Sequence, residues 1–190
     1  MKKLFLMLFI TALVLLSCAQ PPTEEMNMAI QALDRAENDV GALVYAQNYL
    51  SRARDAFERM QNDANSKRFD SARQNAAEVI ANSERAISEG NIAAARTANE
   101  ALNFLDVLEN TVTETEASLY IARQIEDIQL DFEPLEEILE IARADLESAE
   151  ESYSIGDYTE AIDIGQTIRS SLSEVDTQIN QAAQALSPKN

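Results

Sequence analysis

Leu139-Glu140-Ile141-Ala142-Arg143-Ala144-Asp145-Leu146-Glu147, followed after a short polar run by Gly156-Asp157-Tyr158-Thr159-Glu160-Ala161, is the stretch that decides the fold. Leu135, Ile138/Leu139, Ala142, Leu146 and Ala149 recur every three or four residues, the spacing of one face of an α-helix. Gly156 suits the left-handed residue that closes a helix, and Asp157 with Glu160 makes a capping box for the next. Tyr158, just after the turn, is expected to plug the gap between the two helices. Ala161, one turn later, lets their backbones approach.

The same signs occur 89 residues earlier. Leu50, Ala53-Arg54 and Phe57-Glu58 match Leu139, Ala142-Arg143 and Leu146-Glu147, and Phe69 and Ala72 match Tyr158 and Ala161. Carried upstream without a gap, the offset pairs Ile30 with Leu119 and Glu37 with Glu126. Two Ala/Glu-rich helical regions resemble each other by composition alone. Aligned turns and aromatic-x-x-Ala motifs are harder to obtain that way, so an internal repeat is the preferred reading.

The expected fold is all-α, an antiparallel helical bundle of hairpins in which two related three-helix units are joined by a linking helix. The expected boundaries are 23–90 for the first unit, 91–112 for the linking helix, 113–187 for the second unit and 188–190 for a tail. Thr23 is read as the cap of the first helix, with Glu24 and Glu25 in its first turn. Val40-Gly41 should kink or end that helix, and a second should run from Leu43 to Met60. Gly90-Asn91 reads as a stop and restart. The polar, β-branched run Glu109 to Thr115 predicts a break, with helix resuming from Glu116 through Ile128. Pro134 suits the first turn of the next helix, capped by Asp131 or Glu133.

At the other end, Met1-Lys2-Lys3 precedes an apolar run from Leu4 to Leu16, broken only by Thr11 and followed by Ser17-Cys18. This is the layout of a secretory signal, and it falls short of the roughly 20 apolar residues that a spanning helix needs. Leu15-Leu16-Ser17-Cys18 resembles the bacterial lipobox. The resemblance implies a signal peptide over 1–17 cleaved between Ser17 and Cys18. It also implies a covalent lipid on Cys18, which would be the only cofactor-like group, and a tether over 18–22. Cys18 is the only cysteine, so no disulfide can form within one chain. Ala19, rather than Asp, follows it, which in many double-membraned bacteria implies export to the outer membrane; the expected location is the cell membrane or outer membrane, lipid-anchored and facing the periplasm.

The 190 residues carry 33 Asp and Glu against 15 Lys and Arg, a net charge of −18. Loss of Lys2 and Lys3 would make the chain two charges more acidic. Such a field repels nucleic acid and anionic headgroups, so the expected partners are membrane lipid through the acyl chains and an unidentified protein. Only four glycines and four prolines fit an all-helical chain.

Ala53-Arg54 with Phe69-x-x-Ala72, and Ala142-Arg143 with Gly156-Asp157-Tyr158-x-x-Ala161, resemble an Ala-rich helical-hairpin family of unknown function. Members of that family occur in envelope lipoproteins, often beside a peptidoglycan-binding domain. No such domain is read within these 190 residues, so direct cell-wall attachment is not expected from them, and Lys67-Arg68 stands where the second copy has Gly156-Asp157. The turn at Gly156 is also similar to those of tetratricopeptide repeats, without their 34-residue period.

With no His in the chain, Ser-His and Cys-His catalysis, most zinc sites and Glu-x-x-His di-iron sites have no residues to use. Consecutive carboxylates such as Glu136-Glu137 and Glu150-Glu151 diverge by about 100° on a helix and read as a solvated face, as do Glu147 and Glu114/Glu116. Tyr45, Tyr49, Tyr120, Tyr153 and Tyr158 suit core positions or a ligand groove. The expected role is a membrane-tethered, non-enzymatic structural or protein-interaction module without a catalytic or metal site. The alternative is a carrier for a hydrophobic small molecule between the repeats. Close helix packing at Ala72/Ala76 and Ala93-Ala94-Ala95 is expected to leave such a molecule no room.

Overall fold

A computed structural model describes residues 20–186. Ser17 and Cys18, the expected cleavage and lipidation residues, and the tail at 188–190 lie outside them. The described residues form six helices and no strand: α1 (Thr23–Glu37), α2 (Val40–Tyr45), α3 (Gln47–Asn65), α4 (Phe69–Arg123), α5 (Phe132–Ser154) and α6 (Tyr158–Leu186). The chain is all-α. It divides into two compact units between Ala93 and Ala94, and α4 contributes to both. None of the described helices is long and apolar enough to cross a membrane.

The first unit holds α1, α2, α3 and the start of α4. Its core is built mainly of alanines, Ala29, Ala36, Ala53 and Ala76 among them, with Leu33, Leu50, Met60 and Val79 as the larger members. Small side chains let helix axes come close, and exposed ion pairs line the rim: Arg54–Glu37 at 2.7 Å, Arg59–Glu78 at 2.6 Å and Arg73–Glu25 at 3.1 Å. Each such pair contributes about 1 kcal/mol or less. The second unit holds the rest of α4 with α5 and α6. Its core is larger-chained: Leu108, Leu119, Leu135, Leu139, Ile168 and Leu172. Gly165 makes room there, since a Cβ on it would lie 2.7 Å from the Phe104 ring and 2.8 Å from the Leu108 side chain.

The two turns are superimposable in their hydrogen bonding. The Lys67 N–H donates to Ala64 O and the Arg68 N–H to Asp63 O, while the Gly156 N–H donates to Tyr153 O and the Asp157 N–H to Ser152 O. These are the two bonds of a Schellman motif, repeated at the offset of 89. Lys67 at φ 59° and Gly156 at φ 87° hold the same left-handed position. Burial follows the same register. Ala46, Leu50, Ala53 and Met60 match Leu135, Leu139, Ala142 and Ala149, and Ala72 and Val79 match Ala161 and Ile168.

Upstream, the expected offset fails. Ile30 is 45% exposed whereas Leu119 is buried. The buried residues Pro22, Ala29, Leu33 and Ala36 match Leu108, Thr115, Leu119 and Ala122, an offset of 86. The connections differ in length. The first unit bridges its first two long helices through α2, and the second through a loop at 124–131 in which Asp127 takes φ 64°.

Several expected helix ends are absent or displaced. Pro22, not Thr23, occupies the cap of α1, and no side chain caps it. That helix ends at Glu37, before Val40-Gly41, and the Asp39 carboxylate accepts the Ala42 N–H at 2.8 Å to start α2. The helix expected from Leu43 to Met60 is broken at Ala46. Gly90 does not end a helix, and α4 runs through it and through 109–115 to Arg123, short of Ile128. Residues 91–112 are therefore part of one long helix rather than a separate link. At 109–115, the Thr111 and Thr113 hydroxyls donate to the Val107 and Glu109 carbonyls one turn back, while Val112 and Thr115 are buried. The buried face, joined to the second core at Val112, outweighs the low helix propensity of the run, and the back-bonded hydroxyls are satisfied without leaving the helix.

Candidate functional site

The turn residues named from the sequence stand together within each unit. Ala72 and Ala161 are completely buried, and the Asp157 carboxylate accepts the Glu160 N–H at 3.2 Å. Phe69 and Tyr158 are only half-buried. Tyr158 tilts against Tyr153 with ring centroids 5.3 Å apart, so it covers the turn from the side rather than filling a gap. These residues build the fold and present no reactive group. Of the alanines expected to pack closely, Ala72 and Ala76 do so, whereas Ala95 is exposed.

The five tyrosines do not form one cluster. Tyr45 and Tyr49 belong to the first unit, and Tyr120, Tyr153 and Tyr158 to the second. Tyr49 is flanked by Arg52 at 5.6 Å and Arg85 at 4.8 Å from its centroid, cation–π contacts at the surface. Tyr120 is 69% exposed, on the polar side of α4.

Tyr120 stands on the wall of a groove of about 310 Å³ between the last turns of α4 and the early turns of α5, both within the second unit. The floor is apolar because Leu119 and Leu139 are core residues whose edges reach it. Two ion pairs cross from helix to helix, Arg123–Glu136 at 2.7 Å and Arg143–Glu116. The second is bidentate, with Nε and Nη2 each donating to one carboxylate oxygen. The hydrogen bond from Arg143 to Glu116, and then the charge of Glu116, raise the guanidinium pKa above its ordinary value. Each arginine's positive charge is balanced by the carboxylate it pairs with. Glu140, the remaining acid of the groove, has no ion-pair partner among the described residues.

Charge is unevenly spread. Residues 20–93 carry 12 Asp and Glu against eight Lys and Arg, whereas residues 94–186 carry 21 against four. Three of those four arginines already have partners: Arg123 and Arg143 in the pairs above, and Arg169 over the Phe104 ring at 5.4 Å. Among the described residues no three acidic side chains are grouped to hold a metal ion. The groove was not legible from the sequence, because Tyr120 and Glu140 lie on different helices with nothing local to pair them. The signal that could have found it was the crowding of acids after residue 94. Comparison of the chain with protein-family models, with curated proteins and with solved structures finds no match in any of the three.

Proposed function

We propose that this protein is a lipid-anchored, non-enzymatic docking module of the bacterial envelope, tethered through Cys18 and engaging a protein partner through its helical units. The observation that carries the reading is the pairing of a lipobox-like Leu15-Leu16-Ser17-Cys18 with a chain whose acidic charge lies on exposed helix faces. A lipid on Cys18 holds a protein at a membrane when two or three acyl chains are present, since each buried methylene contributes about 0.8 kcal/mol. Only Ala19 to Pro22 separate Cys18 from α1, a reach of at most roughly 14 Å. The helices would then sit close to the bilayer. The lack of His and of a second Cys supports a role without covalent or metal chemistry.

Metabolic labelling with a fatty-acid analogue tests the anchor. Label should appear on the wild-type chain and be absent from Cys18→Ala, which should also leave the membrane fraction; equal labelling of both would end the lipoprotein reading. Site-specific photo-crosslinking in envelopes tests the docking role, with a discrete protein adduct expected from the helices. An apolar small molecule retained in stoichiometric amount by native mass spectrometry, with no adduct, would favour a carrier instead.

A further inference from the structure

The second unit differs from the first on one surface in a way the shared fold does not require. Glu133, Glu137, Glu140, Glu147 and Glu151 follow one another along α5 at steps of three, four or seven residues, and all five are exposed. They therefore form one row, about 27 Å long at 1.5 Å per residue. None has an ion-pair partner among the described residues, whereas Glu136, beside the row, is held by Arg123. At the matching positions of α2 and α3 the first unit has Val44, Asn48, Ser51, Glu58 and Asn62, a single acid. Where the second unit has Tyr120, the register of 86 places Asp34 in the first.

The buried positions of the two units match, so packing accounts for neither the acidic row nor the exposed ring. Like charges three and four residues apart on a helix disfavour it, so the row opposes the stability of α5. A feature that costs stability and contributes nothing to the core is explained by what it meets outside the fold. The row borders the groove in which Glu140 and Tyr120 stand over the apolar floor of Leu119 and Leu139. Two arginines on the same walls are cancelled by Glu116 and Glu136, which leaves the surface acidic.

We infer that the α4/α5 groove of the second unit docks a Lys/Arg-rich segment of a partner protein that presents one apolar side chain to Tyr120. The inference rests on the docking-module reading and assigns it a surface and a partner chemistry. Cationic groups spaced along the segment meet the row, and the apolar side chain covers Tyr120 and the edges of Leu119 and Leu139. The charge steers encounter and selects against acidic partners, while the apolar contact sets residence time.

The test uses the full mature chain in neutral detergent and a fluorescent amphipathic Lys/Leu peptide carrying one Phe, with its Lys-to-Glu counterpart as the second probe. Anisotropy at physiological ionic strength should show the basic peptide binding and the acidic one not. Tyr120→Ala and the pair Glu137→Gln/Glu140→Gln should each weaken binding by about tenfold, the effect of losing one well-covered contact. Asp163→Asn/Glu174→Gln on α6 removes the same charge from exposed positions and should change binding by less than about twofold. An equal loss from the α6 pair, or none from Tyr120→Ala, would overturn the proposal and leave diffuse charge attraction. Self-association abolished by Tyr120→Ala would also overturn it, by placing a second copy in the groove. A crosslinked envelope partner that persists unchanged in Tyr120→Ala sinks this groove and leaves the docking role standing, whereas no partner for the wild type sinks both.

Discussion

Gly41 and Gly90 meet backbone to backbone: a Cβ placed on Gly90 would lie 2.4 Å from the Gly41 carbonyl carbon and 2.5 Å from the Ala42 nitrogen. The short helix α2 thus crosses α4 at the one place where neither carries a side chain. A glycine inside a helix costs about 1 kcal/mol relative to alanine. Here that cost is offset by contact that no other residue allows, and α4 continues where its sequence suggests an end.

Gly90→Ala should therefore destabilise the protein by about 1–3 kcal/mol, as overpacking does, although the same change in an exposed helix is stabilising. Urea unfolding followed by helical circular dichroism measures it. A gain in stability would mean that α2 does not cross at Gly90.

The matched turns predict opposite responses at equivalent positions. Lys67 holds φ 59° with an exposed side chain, so Lys67→Gly relieves left-handed strain and should stabilise by up to about 1 kcal/mol. Gly156 holds φ 87° with open space around it, so Gly156→Ala should cost about 1 kcal/mol from backbone conformation alone. Thermal denaturation of both variants decides the point, and shifts of the same sign would contradict the equivalence of the turns.

Ser83 is completely buried and its hydroxyl has no hydrogen-bond partner. The matching residue of the second unit is Leu172, a plain core side chain. A buried, unsatisfied hydroxyl costs about 1–3 kcal/mol, so Ser83→Ala should raise stability by about 1 kcal/mol. A loss on denaturant unfolding would show that the hydroxyl finds a partner in solution.

The helical character of the chain, the faces that become buried, and the Gly156 turn are all local properties, and the sequence determined them by itself. Apolar residues three and four apart can share a face only in a helix. Gly156-Asp157 meets a left-handed position and a cap requirement within a few bonds. The charge was equally legible, because it needs no geometry. Gly90 and the run from Glu109 to Thr115 were not, since each permits two outcomes. A glycine ends a helix or admits a neighbour's backbone, and a Thr/Asn run frays or bonds to its own preceding turn.

Which outcome occurs depends on what packs against the segment, α2 at Gly90 and the second core at Val112 and Thr115. The offset of 86 rather than 89 before the first connection has the same origin, because loop length is free where a core register is not. The groove beneath Tyr120 was decided last of all. It depends on α4 and α5 lying side by side, and only the tertiary structure brings an exposed ring from one helix to an acidic row on another.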